Sequence, residues 1–109
     1  MKTYYHVTLK KNLESILNNG LLPKIGELSR LCDEKERRIY LFPSLNDMET
    51  ALGNWLGIEL NDLYGESTEC CSLKITLPDD LPIAEGETEN ECYSYTPIDK
   101  KYIKYLKDE

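Results

Sequence analysis

Apolar and polar positions alternate along residues 70–77, where Cys71, Leu73, Ile75 and Leu77 are separated by Ser72, Lys74 and Thr76. A period of two marks a strand with one buried face. Thr3-Tyr4-Tyr5-His6-Val7-Thr8 is aromatic and β-branched, and predicts an earlier strand. Arg38-Ile39-Tyr40-Leu41-Phe42 predicts another, and Cys92-Tyr93-Ser94-Tyr95 a further one with both tyrosines on one face. Helical spacing takes over between them. Leu13, Ile16 and Leu17 share a face of a helix expected over Leu9 to Asn19, capped by Thr8 and stopped by a left-handed Gly20. Ser44-x-x-Asp47 resembles a capping box for a second helix. Its buried stripe is Leu45, Met48, Leu52, Trp55 and Leu56, and Gly57 closes it. Asp99 is expected to cap a short final helix through Leu106.

The predicted order is β-α-β-α-β-β-α, with polar connections at 24–37 (a long loop or a marginal helix), 61–68 and 85–91. It implies an α+β domain rather than a doubly wound parallel sheet. With 109 residues, surface scaling leaves ~6,200 Å² accessible out of ~18,000 Å². One domain spanning 1–109 is therefore expected, with a core that needs no metal or disulfide staple.

Charge then narrows the partners. Thirteen Lys and Arg against 20 Asp and Glu give a net charge of −7. Such a balance disfavours nucleic-acid binding through counterion release and a polybasic membrane face. Cys32, Cys70, Cys71 and Cys92 contain no C-x-x-C pair, and the single histidine is remote in sequence, so a zinc site has little support. No apolar run approaches the ~20 residues of a membrane span, and MKTYYHVTLKKN lacks a signal-peptide core. A reduced, cytoplasmic setting is expected, with Cys92 and one of Cys70 and Cys71 packed as small hydrophobes.

Candidate chemistry begins at His6. A strand edge at Val7 can make paired hydrogen bonds to a planar amide while the His6 imidazole bonds a sugar hydroxyl. Tyr5-His6-Val7-Thr8, followed by Leu13-Glu14-Ser15-Ile16-Leu17-Asn18-Asn19-Gly20-Leu21, resembles the first strand and helix of the ADP-ribosyltransferase fold, in its His–Tyr–Glu branch. Arg38-Ile39-Tyr40-Leu41-Phe42-Pro43-Ser44 and Glu91-Cys92-Tyr93-Ser94-Tyr95 stand in the second and third places. The chain is also similar to small bacterial and phage proteins of unknown specific function. That likeness lies in YHVT, in IYLFPS followed by NWLG, and in a final strand before a Pro-Ile turn; it spans nearly the whole chain.

The resemblance implies a mixed, mostly antiparallel split β-sheet flanked by short helices, with NAD as co-substrate. It assigns His6 to the adenosine-side ribose and the Val7 backbone to the nicotinamide amide, with Thr8 supporting them. Tyr40 would stack on the nicotinamide ring with Ser44 nearby. Glu91 would be catalytic, bonding the nicotinamide-side ribose and stabilising oxocarbenium-like charge as the glycosidic bond breaks. Lys24, Arg30, Arg37 or Arg38 would meet the pyrophosphate, with Arg30 carried as the candidate. The implied partner is a macromolecular target, a protein rather than a nucleic acid, and no membrane.

Each feature has a plainer description. His6 and Thr8 fit a strand end that caps a helix, Tyr40 fits a core aromatic, and 85–91 fits a solvated acidic turn. Glutamates alternate at 85, 87, 89 and 91; Glu91 is chosen because it adjoins the apolar strand. The competing function is a non-catalytic, phage-type acidic inhibitor on the same fold. A 2′-phosphotransferase is a third reading, and it needs a cationic pocket that the scatter of Lys and Arg does not reveal. No P-loop or G-x-S-x-G elbow is present.

Overall fold

A computed structural model of the chain describes residues 1–23, 39–53, 69–85 and 91–108. Among the described residues, two antiparallel sheets and two short helices make an α+β fold. The first sheet has the order β1 (Lys2–Leu9), β3 (Cys70–Leu77), β6 (Ile103–Asp108). The second has the order β2 (Ile39–Leu41), β5 (Cys92–Ser94), β4 (Ala84–Glu85). The helices are α1 (Leu13–Asn19) and α2 (Leu45–Leu52). Every ladder among the described residues is antiparallel, and a lone bridge between Tyr5 and Phe42 joins the sheets.

β3 occupies the span that its alternation predicts, but the polar face is not open along its whole length. Cys70 and Ser72 are buried along with Cys71 and Leu73, and the Ser72 hydroxyl donates to the Lys107 carbonyl at 3.3 Å. The two faces of the first sheet then serve different clusters. Tyr4, His6 and Thr8 pair with Ile75, Leu73 and Cys71 and so share one face. Tyr4, Leu73, Ile75 and Leu77 pack there with Ile39, Leu41, Cys92, Ile16 and Ile98. On the other face Tyr5 and Val7 pack against Phe42, Met48 and Ala51.

α2 starts as its sequence predicts. Ser44 Oγ accepts the Asp47 N–H at 3.0 Å and donates to Asp47 Oδ2 at 2.8 Å. Its buried stripe is Met48 and Ala51, whereas Leu45 is exposed. Trp55, Leu56 and Gly57 lie outside the described residues.

Two expected helix boundaries differ. Thr8 does not cap a helix, because β1 runs on through Leu9 and the Lys10 N–H still bonds the Glu69 carbonyl at 3.0 Å. A 3₁₀ turn at Lys10–Asn12 follows before α1. Asp99 does cap a turn, its Oδ1 accepting from the Lys101 N–H at 2.9 Å, but that turn is 3₁₀ and ends at Tyr102. The expected final helix is instead β6, with Ile103 opposite Ile75 and a bulge at Leu106 between the Tyr105 and Lys107 pairings. The ladder offered by β3, together with burial of Ile103, outweighs local helix propensity. Tyr95 is exposed beyond the end of β5, so it does not share the buried position of Tyr93.

Salt links secure the sheet ends. Lys10 Nζ meets Asp108 Oδ2 at 2.7 Å, the Tyr105 hydroxyl donates to the other Asp108 oxygen, and Lys107 reaches Glu49 at 2.9 Å. Asp108 is held below the usual carboxylate range first by the Lys10 and then by the Tyr105 hydrogen bond.

Gly20 fixes the return of the chain after α1. Its φ is +82°, and a Cβ there would lie 2.4 Å from the Ile98 carbonyl oxygen. The close approach lets Leu21 and Ile98 exchange two backbone bonds of 2.9 Å. Gly20→Ala is expected to lower stability by about 1–3 kcal/mol in urea unfolding. A loss within about 0.5 kcal/mol, the range of an ordinary surface change, would contradict that account.

Candidate functional site

The site lies where the two sheets part. In an antiparallel ladder, successive residues turn their N–H and C=O groups to opposite sides. Tyr5 and Phe42 exchange bonds of 2.9 and 2.8 Å, so the polar groups of Tyr5 face β2. Val7, two residues on, turns its N–H and C=O the same way. Continued pairing would set Val7 against Tyr40. The ladder stops instead at Tyr5–Phe42.

His6 supplies the reason. Its Nδ1 lies 2.7 Å from the Tyr40 carbonyl oxygen. A carbonyl only accepts, so Nδ1 carries the proton in this bond. The imidazole thus occupies the oxygen that the next β1–β2 backbone bond would need. Val7 is left facing the gap with one donor and one acceptor, and no backbone partner on that side among the described residues.

The far wall of the gap is built by β2 and β5. Tyr40 and Tyr93 are directly opposite in register, with ring centroids 5.0 Å apart and planes at 80°. The Tyr93 hydroxyl donates to Glu91 Oε1 at 2.7 Å. Ile39, Leu41 and Cys92 enter the core from the opposite face, so strand alternation places Tyr40, Tyr93 and Glu91 together on the outer one. Tyr40 also shares a face with Phe42, which packs on Tyr5 and Val7. One face of β2 and β5 therefore carries Phe42, Tyr40, Tyr93 and Glu91, with Phe42 and Tyr93 buried.

The expected residues divide accordingly. His6, Val7 and Tyr40 converge on the gap, and Glu91 is linked to Tyr40 through Tyr93. Thr8 stands on β1 opposite Cys71, on the same face as His6. Ser44 is engaged by its own helix cap through Asp47. Arg30 lies outside the described residues, as do Lys24, Arg37, Arg38, Glu87 and Glu89. Glu85 is paired through its backbone with Cys92 on β4. Tyr93 is the member that the sequence reading did not single out; its signal was the Glu91-x-Tyr93 spacing, which puts both side chains on one face of a strand.

Behind this wall, the Cys92 thiol donates to the Leu41 carbonyl at 3.4 Å. Burial, and then the charges of Glu91 and Asp47, push it up to about 12. It is therefore a proton-bearing core group rather than a nucleophile. Among the described residues, no group of three His, Cys, Asp or Glu side chains could hold a metal ion, and no helix is long and apolar enough to cross a membrane. The chain matches no protein-family model, and neither the curated proteins nor the solved structures contain a significant match to it.

Two outcomes test this geometry. His6→Val removes the side-chain donor and lets the Val7 N–H reach the Tyr40 carbonyl. Hydrogen exchange at the Val7 amide should then slow about tenfold or more, the equivalent of one modest hydrogen bond; unchanged exchange would reject the wedge. For Cys92, the raised folded value means that stability is fully present below about 9, the unfolded thiol value, and falls as pH rises towards about 12. Cys92→Ala should flatten that alkaline limb in pH-dependent urea unfolding, and an identical slope would show that the thiol does not couple to folding.

Proposed function

We propose that this domain binds NAD at the gap between its sheets and transfers ADP-ribose to a macromolecular target, on an ADP-ribosyltransferase-like fold. The observation that carries the reading is the Val7 edge. It pairs one backbone donor with one acceptor at the place where His6 has stopped the ladder, which is the complement of a planar carboxamide. A backbone edge cannot rotate away, so the amide is oriented with little entropic cost.

The surrounding residues fit the remaining parts of the ligand. The His6 imidazole bonds the adenosine-side ribose. Tyr40, half-buried and braced edge-to-face on Tyr93, supplies the aromatic wall for the nicotinamide ring. Glu91 accepts from the nicotinamide-side ribose, and its negative charge is most favourable when positive charge grows at the ribose carbon. NAD supplies a glycosidic bond to an already cationic ring nitrogen, which takes the bonding electron pair as it leaves and requires no general acid. Attack by the target nucleophile from the opposite face inverts that carbon. Thr8, on the His6 face of β1, supports the strand that carries these groups.

Equilibrium binding of NAD and release of nicotinamide test the reading directly. Glu91→Gln should slow release by roughly 10²–10³-fold, the usual cost of one preorganised electrostatic contact, while NAD affinity stays within about threefold. A wild-type chain that shows no saturable NAD binding would overturn the proposal and leave the acidic binding protein as the better description. Release unchanged in Glu91→Gln would remove that carboxylate from the reaction.

A further inference from the structure

We infer that Tyr93 is a positioning residue, fixing the Glu91 carboxylate so that one of its oxygens is aimed and the other is held; the catalytic use of this arrangement rests on the NAD reading above. Glu91 stands just before β5 begins, and among the described residues no strand pairing of its own constrains it. A glutamate at such a place samples many rotamers, and a carboxylate that must meet charge growing on one carbon gains from being confined beforehand.

Tyr93 provides the confinement. It is only 2% exposed, sits in the middle of β5, and is flanked in register by Tyr40 on one side and Ala84 on the other. The edge-to-face contact with Tyr40 sets the direction of its ring. Its hydroxyl therefore projects from a fixed post and donates to Glu91 Oε1 at 2.7 Å. A phenol bonded to one carboxylate oxygen leaves Oε2 with its acceptor capacity, since no second partner of Glu91 occurs among the described residues. Oε2 is then the atom that meets the ribose hydroxyl. The same contact explains why Glu91 is distinguished within an alternating series of four glutamates. Tyrosine two residues on in a strand lies on the same face, and only position 91 has a tyrosine at that spacing.

A merely structural role is the competing account, because a buried tyrosine hydroxyl needs some acceptor. Tyr93→Phe separates the two, since it keeps the ring and its contact with Tyr40 and removes the donor alone. The full chain would be prepared as wild type, Tyr93→Phe, Glu91→Ala and the double variant. Nicotinamide release, NAD affinity and thermal unfolding would be measured for each, and side-chain carbon relaxation at Glu91 in the first two. Positioning predicts that kcat falls roughly 10- to 100-fold in Tyr93→Phe, the order expected for a reacting group displaced by about an ångström. KM and NAD affinity should hold within about twofold, and the Glu91 side chain should become more mobile. In the Glu91→Ala background the same change should have no further effect on kcat, because its route of action is already gone.

An equal loss in both backgrounds, or Glu91 relaxation unchanged by Tyr93→Phe, would overturn the inference. A wild-type chain that binds no NAD would sink the functional reading alone. The relaxation measurement would still decide, without any substrate, whether Tyr93 holds Glu91.

Discussion

The hydrogen bond from His6 Nδ1 to the Tyr40 carbonyl is the constraint on which the rest of the site depends. Without it, one antiparallel register would run from Tyr5–Phe42 into Val7–Tyr40, and the two sheets would fuse. A side chain in place of a backbone donor keeps the Tyr40 carbonyl satisfied at the point where the strands diverge. That matters because a buried carbonyl without a partner is expensive, and a gap opened beside one would tend to close. Here the polar requirement of β2 is met from β1 without a ladder. The unmatched groups are transferred to Val7, on the side that faces the gap.

The packing supports this division. β1 has apolar partners on both faces, Tyr4 in the larger cluster and Tyr5 with Val7 in the smaller one. β3 holds it on the far edge through a full-length register from Lys2–Leu77 to Leu9–Cys70. The wall formed by β2 and β5 is equally committed, since Ile39, Leu41 and Cys92 all enter the larger cluster from its inner face. Tyr40, Tyr93 and Glu91 consequently point away from the larger cluster.

How far this was legible in the sequence follows from the range of each signal. The strand at 70–77 and the Ser44–Asp47 cap are local patterns, and both stand where the pattern puts them. Gly20 was legible for the same reason, as a residue able to take a positive φ at a helix end. Residues 100–106 were not. Asp99 followed by Lys100-Lys101 and Leu106 reads as a capped helix, and the chain honours that for one 3₁₀ turn. Only the presence of β3, thirty residues away in sequence, makes a strand the better state for Ile103 onwards. The link between Glu91 and Tyr93 was half legible. Their spacing is visible, but the pairing of Tyr93 with Tyr40 that immobilises the phenol is a tertiary fact.

The acidic excess of the chain is best judged against this geometry. A net charge of −7 opposes an anionic dinucleotide at long range, and screening limits that penalty to about 8–10 Å at ordinary ionic strength. Within that distance the contacts that matter are specific and of mixed sign. In the proposed NAD complex, Val7 would offer an uncharged amide pair and Tyr40 an aromatic wall. There Glu91 would lie against the nicotinamide-side ribose, beside the cationic ring rather than the phosphates. An acidic residue placed there would favour that orientation of the ligand over the reversed one. The net charge weakens general attraction to anions, while under the proposed binding mode the position of one glutamate would contribute to selectivity for a ligand that is cationic at one end.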